Sequence, residues 1–162
     1  MTTCHTLSTA FRYPAPGRLQ ELQTGLDGMP AGGARKAFGE FLARIQRLSL
    51  GEWEELHTRT LDLNPPAAPY VGYQTWGDSY PRGEFMARLS HAYAQIGLDC
   101  GGELPDHLAP VLDYLAAEPQ PLPELTAALP GALERMSKVL SKAESGNPYV
   151  LLFEAARRAT AG

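Results

Sequence analysis

The spacing of apolar residues constrains the fold of this chain more than any other feature of its sequence. In residues 34–48, ARKAFGEFLARIQRL, apolar side chains recur at the i, i+3, i+4, i+7 spacing of an amphipathic helix. Similar spacing recurs along most of the chain, whereas no stretch alternates apolar and polar residues long enough to predict a sheet. We therefore predict an all-α protein, a single-domain helical bundle of about seven to nine helices over residues 1–162 with a long aromatic-rich connector.

Local signals predict which helix faces are buried and where the helices end. The inward faces are predicted to comprise Phe38, Phe41, Leu42, Ile45 and Leu48 in residues 34–48, and Trp53, Leu56, Thr60 and Leu63 in residues 50–63. Asn64-Pro65-Pro66 is predicted to stop the second of these helices, and Gly97 a later one. Asn147 followed by Pro148 predicts the start of the last helix, with Asn147 as its N-cap.

Composition and charge exclude several classes of function. The 162-residue chain has a formal net charge of −4 and no run of Lys or Arg, which argues against nucleic acid as a partner. No apolar stretch approaches the ~20 residues that span a membrane, and the first residues lack the pattern of a secretory leader. We therefore expect a cytoplasmic protein that does not insert into membranes, in which Cys4 and Cys100 remain free thiols.

The sequence offers little for catalysis. It contains no GxGxxG, GxxxxGK(S/T), HExxH or GxSxG motif, and its histidines lie far apart, so we expect no enzymatic activity, no cofactor and no metal site. Asp106-His107 is the one pair that resembles a catalytic couple. Adjacent residues do not face each other on a helix, and no Ser or Cys lies nearby in the sequence as a nucleophile. A hydrolase that uses this pair is the enzymatic alternative.

Residues 103–108, ELPDHL, lie immediately before an apolar run and have two interpretations. Because Pro110 lacks an N–H, it fits best in the first turn of a helix, which places the helix start near Asp106 or His107. Asp106 is then predicted to cap this helix by accepting a hydrogen bond from an unpaired backbone N–H. The alternative is that these polar groups are held in place for a function.

The connector of residues 64–82, NPPAAPYVGYQTWGDSYPR, is unusually long for a compact helical domain. It is also rich in aromatic rings, which are large amphipathic surfaces that either pack or bind. These rings are Tyr70, Tyr73, Trp76 and Tyr80. One interpretation is that they plug the core between two halves of the bundle, and the other is that they wall a groove for an apolar peptide. Residues 69–76 are predicted to form a short helix.

Several of these stretches together resemble a known family. ELPDHL matches the E-x-P-D-H signature of the NarJ-type nitrate reductase assembly chaperones, within the wider TorD/DmsD group of redox-enzyme maturation chaperones. The Leu61-Asp62 pair, the stretch PYVGYQTWGDSYPRGEFMARL and the closing PYVLLFEAA resemble the same family in the same order, over roughly residues 7–156. The chain departs from the pattern at Leu61, where an aromatic residue is common, and at Trp76.

The resemblance implies a cytoplasmic, all-helical chaperone without enzymatic turnover. Members of this family bind the apo catalytic subunit of a molybdenum-dependent reductase, chiefly through its N-terminal segment, until molybdenum cofactor is inserted. The cofactor delivery machinery is implied as a further partner. The alternatives are a chaperone for a related reductase, of selenate, chlorate or a similar substrate, and a non-catalytic helical adaptor.

The resemblance also implies a partner-binding site. The residues that fall in the family's motifs are Tyr70, Asp78, Arg82, Gly83, Glu103, Pro105, Asp106 and His107, and physical reasoning adds Tyr73, Trp76 and Leu104 as further groove residues. The aromatic rings and Leu104 are expected to line a groove for the apolar face of a target helix. Asp78, Glu103 and Asp106 are expected to face basic residues of the target, Gly83 and Gly77 to allow tight turns, and His107 to make binding sensitive to pH near neutrality.

Overall fold

The computed structural model describes residues 2–63, 65 and 67–161 and contains nine α-helices over this part of the chain. They are α1 (Thr3–Phe11), α2 (Arg18–Asp27), α3 (Gly33–Ile45), α4 (Leu50–His57), α5 (Val71–Trp76), α6 (Tyr80–Gln95), α7 (Leu108–Ala117), α8 (Pro123–Ala143) and α9 (Tyr149–Ala159). The prediction of an all-α bundle with seven to nine helices is confirmed. Asn64 and Pro66, part of the predicted helix stop, lie outside the described residues.

Apolar side chains from all nine helices form one buried cluster. Helix α9 packs against α3 and α8, α1 packs against α7, and α5 packs against α8. On α3 the predicted inward face is confirmed, since Phe38, Phe41, Leu42 and Ile45 are at most 1% exposed. Complete burial of such a side chain stabilises the fold by about 1.5–3 kcal/mol, so this face of α3 contributes several kcal/mol to the core. No helix of the described residues is long and apolar enough to cross a membrane.

Helix α4 shows one departure from the predicted burial pattern. It begins with a capping box between Ser49 and Glu52 and continues into a π-helical turn, Thr58–Asp62. The extra residue in this wider turn changes the register, so Leu61 is buried. The prediction that Leu63 faces inward is wrong: Leu63 follows the turn in extended conformation and is 70% exposed.

The start of α9 agrees with the sequence and also ties two distant segments together. The side-chain oxygen of Asn147 accepts a hydrogen bond from the backbone N–H of Tyr149 at 2.8 Å, which confirms Asn147 as the cap. Its amide nitrogen donates to the buried hydroxyl of Thr60 at 2.8 Å. The cap therefore fixes α9 to the π-helical turn, which in turn positions Asp62 near the site described below.

Candidate functional site

The aromatic connector and the ELPDHL segment, far apart in sequence, lie side by side in the structure. The backbone N–H of Val71 donates to the Asp106 carbonyl at 2.8 Å, and that of Leu108 donates to the Pro69 carbonyl at 3.0 Å. Tyr70 and His107 form an isolated antiparallel bridge between these two bonds. The two groups of predicted site residues therefore lie next to each other in the fold.

Asp106 is completely buried and holds this junction together. Its carboxylate forms a two-point ion pair with Arg82, with Nε–Oδ2 at 2.9 Å and Nη2–Oδ1 at 3.3 Å. The backbone N–H of Gly72, in the first turn of α5, donates to Oδ2 at 3.1 Å. The hydrogen bond to Asp106 raises the pKa of Arg82. Asp106 therefore caps α5 rather than its own helix, and its charge is matched inside the protein instead of facing a partner.

His107, rather than Asp106, caps α7. Its Nδ1 accepts a hydrogen bond from the backbone N–H of Ala109 at 3.0 Å, so the ring proton lies on Nε2. Burial, followed by the positive charges of Arg12 and His57, lowers the pKa of His107 to about 3. The ring is therefore neutral near pH 7. The expectation that His107 titrates near neutrality is wrong, because a buried imidazole that accepts a backbone hydrogen bond resists protonation.

The connector rings divide between the core and the surface. The predicted short helix is confirmed as α5, and Trp76 at its end packs against Phe85 with ring centroids 5.0 Å apart. Tyr73 is 44% exposed and Tyr80 is 80% exposed, so these two rings do not plug the core. Tyr70 packs edge-on against the His107 ring, with centroids 5.4 Å apart.

The guanidinium group of Arg82 lies between the two inner tyrosines of the connector. Its central carbon is 5.5 Å from the centroid of the Tyr70 ring and 5.6 Å from that of Tyr73. Cation–π contacts of this kind contribute about 0.5–1 kcal/mol at exposed sites and more where they are shielded from water. The Asp106–Arg82 pair thus sets the positions of both rings.

An open groove of about 530 Å³ runs beside these rings. It is lined by Pro65, Ala68, Tyr70, Tyr73, Gln74, Arg82, Leu104 and Val139. Leu104 and Val139 are 48% and 42% exposed, which is high for apolar side chains of their size. Val139 was not predicted as a groove residue, because it lies on an exposed position of α8 and only folding brings it to the same groove as the connector.

The other predicted site residues lie around the groove rather than in its lining. Glu103 is partly exposed, and its Oε2 is 3.8 Å from Nε2 of His107. The carbonyl of Pro105 accepts a hydrogen bond from the Tyr93 hydroxyl at 2.7 Å. Asp78 is exposed in the turn before α6.

The two glycines expected in tight turns differ. Gly77 has a left-handed φ of 71° between α5 and α6, as a tight turn requires, and the expectation for it is confirmed. Gly83 lies inside the first turns of α6, so the expected tight turn at Gly83 is wrong.

Comparison with known proteins identifies the family to which this site belongs. The family model described as nitrate reductase delta subunit matches residues 27–144, more than half of the chain and including both segments of the site. The chain belongs to the nitrate reductase delta subunit family. No curated protein matches the sequence. The match confirms the resemblance to NarJ-type chaperones, and this family consists of assembly factors for nitrate reductase rather than of catalytic enzymes.

In this delta-subunit family member, Asp106 and His107 do not form a catalytic couple. The Asp106 carboxylate contacts Arg82 and Gly72, whereas the imidazole of His107 accepts from Ala109 and faces Glu103. Within the described residues, no three acidic, histidine or cysteine side chains are grouped as a metal site requires. The arrangement holds a groove open and presents aromatic and aliphatic side chains along it.

Two further residues lie near this site, His57, to which no sequence pattern gave a role, and Asp62, which entered only as part of the Leu61-Asp62 pair. His57 is 3% exposed, and its Nδ1 lies 3.0 Å from the Tyr149 hydroxyl. Burial, followed by the positive charge of Arg18, lowers its pKa to about 4. Asp62 ends the π-helical turn with its Oδ2 3.9 Å from Nε2 of His57. An acid at the C-terminal end of a helix opposes the helix dipole, and this was the signal that could have singled out Asp62.

Proposed function

We propose that this protein is a cytoplasmic chaperone for a nitrate-reductase-like molybdoenzyme. It binds the N-terminal segment of the apo catalytic subunit and keeps that subunit open for insertion of molybdenum cofactor, in contact with the machinery that delivers the cofactor. The observation that best supports this proposal is the pairing of the connector with the ELPDHL segment around one apolar groove, in a chain of the delta-subunit family.

The groove has the chemistry expected of a receptor for an amphipathic helix. Tyr73, Leu104 and Val139 are each between 42% and 48% exposed, so a partner would remove apolar surface from water at all three. Burial of apolar surface stabilises association by about 25 cal/mol per Å² before the cost of immobilising the partner is subtracted. A groove with several exposed apolar side chains is therefore better suited to a peptide than to a small polar substrate.

The walls of the groove are fixed before a partner arrives. Arg82 contacts the Tyr70 and Tyr73 rings and is itself held by Asp106. Side chains that are already ordered lose less conformational entropy on binding, so a preorganised wall favours affinity. On this proposal, Asp106 and His107 position the groove, and the tyrosines and Leu104 contact the partner.

Titration calorimetry with a peptide of the first ~20 residues of the cognate catalytic subunit, long enough for about 30 Å of helix, tests the proposal. The variant Tyr73→Ala removes a groove ring, and Tyr80→Ala is the matched control because its ring is 80% exposed and outside the groove lining. We expect Tyr73→Ala to weaken binding by about tenfold or more and Tyr80→Ala to leave it within about twofold.

Equal effects of the two replacements would place the peptide elsewhere on the protein. Absence of binding to both the peptide and the whole apo-subunit would reject the chaperone assignment. Circular dichroism of each variant checks that the fold is retained.

A further inference from the structure

One edge of the Arg82 guanidinium has no partner inside the described part of the protein. Nε and Nη2 donate to the Asp106 carboxylate at 2.9 and 3.3 Å, which occupies the edge that these two nitrogens form. Nη1 forms no hydrogen bond with any described residue, although a guanidinium carries five N–H donors. The ion pair therefore leaves the N–H groups of Nη1 unused.

Nη1 of Arg82 is nevertheless in contact with solvent. Over the described residues, the Thr6 hydroxyl is the one fully buried side-chain polar atom without a hydrogen-bond partner, so Nη1 is not sealed inside the protein. The Arg82 side chain is only 12% exposed and contributes to the lining of the groove beside the connector. The rings of Tyr70 and Tyr73 flank its central carbon at 5.5 and 5.6 Å. The unused donors are therefore available to a group that enters the groove, where few water molecules compete.

Arg88 forms a similar ion pair in a different environment. Its Nε and Nη2 donate to the Glu124 carboxylate at 3.0 and 2.7 Å, and its Nη1 also has no partner among the described residues. The Arg88 side chain is 49% exposed, so bulk water can satisfy its free donors. A ligand that displaces the water beside Arg82 without offering an acceptor would instead leave charged donors unsatisfied, which is costly.

The acceptor that suits Arg82 is uncharged. Asp106 already balances the charge of the guanidinium. Burial, followed by the negative charges of three acids, raises the pKa of the Tyr70 hydroxyl, so negative charge prevails at this wall of the groove. These acids are Glu103, Asp106 and Asp62. A carboxylate of the partner would be repelled here, whereas a carbonyl oxygen accepts from Nη1 without adding a charge.

An amphipathic helix offers unpaired carbonyl oxygens at one end only. Its apolar face carries no polar side chains, and the backbone groups of its interior bond to one another. The last four carbonyls have no partner within the helix. We infer that Nη1 of Arg82 binds a backbone carbonyl in the last turn of the partner helix, so that this helix ends beside Tyr70 and Tyr73. The inference rests on the proposed function, because Arg82 lines the groove in which the partner segment is proposed to bind.

The opposite orientation of the helix fits the groove less well. It would place the first N–H groups of the partner helix beside Arg82, and the negative charge at this wall favours that end of a helix dipole. It would also bring donors against donors and leave Nη1 without an acceptor. A hydrogen bond from a charged donor contributes more than the interaction of a charge with the end of a helix dipole, so the carbonyl end is favoured.

Nuclear magnetic resonance of the wild-type protein tests the orientation. The peptide of the first ~20 residues of the cognate catalytic subunit carries a nitroxide label at the first or the last residue of its bound helix, positions separated by about 1.5 Å per helical residue. We expect the label at the last residue to broaden the amide signals of Tyr73 and Arg82 and the label at the first residue to leave them sharp. The reverse pattern, or no broadening by either label of a peptide that Tyr73→Ala weakens, would overturn the inference and leave the proposed function standing.

A double-mutant cycle tests the hydrogen bond itself. Arg82→Lys keeps a positive charge beside Asp106 but removes Nη1, and Arg88→Lys is the matched control because Arg88 forms the same kind of pair outside the groove lining. On the peptide, each carbonyl of the last helical turn is made a weaker acceptor by replacing the amide that contains it with an ester. We expect one ester to weaken binding to the wild type and to Arg88→Lys about fivefold more than it weakens binding to Arg82→Lys.

Equal effects of every ester on the three proteins would overturn the inference. The cycle cancels any effect of the ester on the peptide helix alone, since that effect is common to all three. Circular dichroism checks the fold of Arg82→Lys, and if this variant unfolds, the labelled peptides on the wild-type protein decide the question. A peptide that binds equally well to Tyr73→Ala and broadens no groove signal would reject the proposed function together with the inference.

Discussion

At the scale of single residues, Asp106 connects three parts of the structure through one side chain. It precedes α7, caps α5 through Gly72 and holds Arg82 at the start of α6. Removing one partner of a buried ion pair costs about 3–5 kcal/mol, because the other charge is left without compensation. Replacing Asp106 by alanine therefore tests the fold before it tests recognition, whereas Tyr73→Ala leaves this ion pair in place.

Gly72 is the residue of this junction that has the least room for a side chain. A methyl group built there would lie 2.7 Å from Oδ2 of Asp106, 3.0 Å from Cγ of Arg82 and 3.1 Å from Cδ2 of Phe85. We expect Gly72→Ala to lower the free energy of unfolding by about 1–3 kcal/mol, as overpacking at rigid sites does. Urea denaturation followed by circular dichroism measures the change.

Gly83 is the matched control for this substitution. It lies in α6 with open space around its Cβ position, so Gly83→Ala should leave stability unchanged or raise it by up to about 1 kcal/mol. Equal destabilisation by both substitutions would contradict this explanation, because Gly83 has no crowded neighbour and a Gly→Ala change in a helix otherwise stabilises. A Gly83→Ala protein that folds well but binds peptide weakly would place Gly83 in the partner interface.

At the scale of helices, the sequence was informative where the signal was local. The inward face of α3 and the Asn147 cap followed from apolar spacing and from one residue's preference for a helix start, and both are present in the structure. The π-helical turn was not predictable, since one extra residue leaves no mark on composition. That turn moves Leu63 out of the core and places Asp62 3.9 Å from the buried His57 ring.

The candidate site was predictable only in part, because its geometry depends on residues that are far apart in the sequence. Both of its segments could be recognised in the sequence, but their pairing at Tyr70 and His107 depends on contacts between distant residues. The cap of α7 was assigned to Asp106 because carboxylates are good caps, yet the neighbouring His107 takes that role. The Asp106 carboxylate instead binds Arg82 and the first turn of α5. Both groups are distant from Asp106 in the sequence, so no local pattern indicates this pairing.

Asn147 offers a test at the level of helix capping. Asn147→Ala removes both the cap of α9 and the hydrogen bond to Thr60, so we expect a loss of about 1–3 kcal/mol in unfolding free energy. Asn147→Asp keeps an oxygen for the Tyr149 N–H but has no amide to donate to Thr60. Denaturant titrations should rank wild type above Asn147→Asp and Asn147→Asp above Asn147→Ala. An aspartate variant no more stable than the alanine variant would mean that repulsion between the new carboxylate and Glu144, to which the Asn147 amide also donates at 3.1 Å, outweighs the retained cap.

At the scale of the whole molecule, two buried neutral histidines couple stability to pH. The pKa values of His57 and His107 are lowered from 6.5 to about 4 and about 3, mainly by burial. Between these values and pH 6.5 the unfolded chain binds more protons than the folded protein, so stability falls as the pH falls. We expect the free energy of unfolding to be about 3 kcal/mol lower at pH 5 than at pH 7, measured by urea titration at both values. Raised pKa values at Asp62 and Glu103 act in the opposite direction and reduce the loss at lower pH.

Single substitutions distinguish the two buried rings from the exposed ones. His91 is exposed on α6, so His91→Gln should keep the dependence on pH, whereas His57→Gln should remove about half of it. A flat stability profile between pH 7 and pH 5 in the wild-type protein would contradict burial of the two imidazoles in neutral form.

Asp106 and His107 both stabilise the fold and position the groove, and these two roles together affect how the family evolves. One residue clamps Arg82 and the other begins α7, so each substitution carries a folding penalty whether or not a client enzyme exists. A lineage that lost its client would retain both residues under selection for stability alone. Tyr73 and Leu104 are under less constraint from folding, because they are 44% and 48% exposed along the groove. Among homologous genomes, loss of these two apolar side chains would therefore mark lineages that changed or abandoned their partner, while the aspartate–histidine pair persisted.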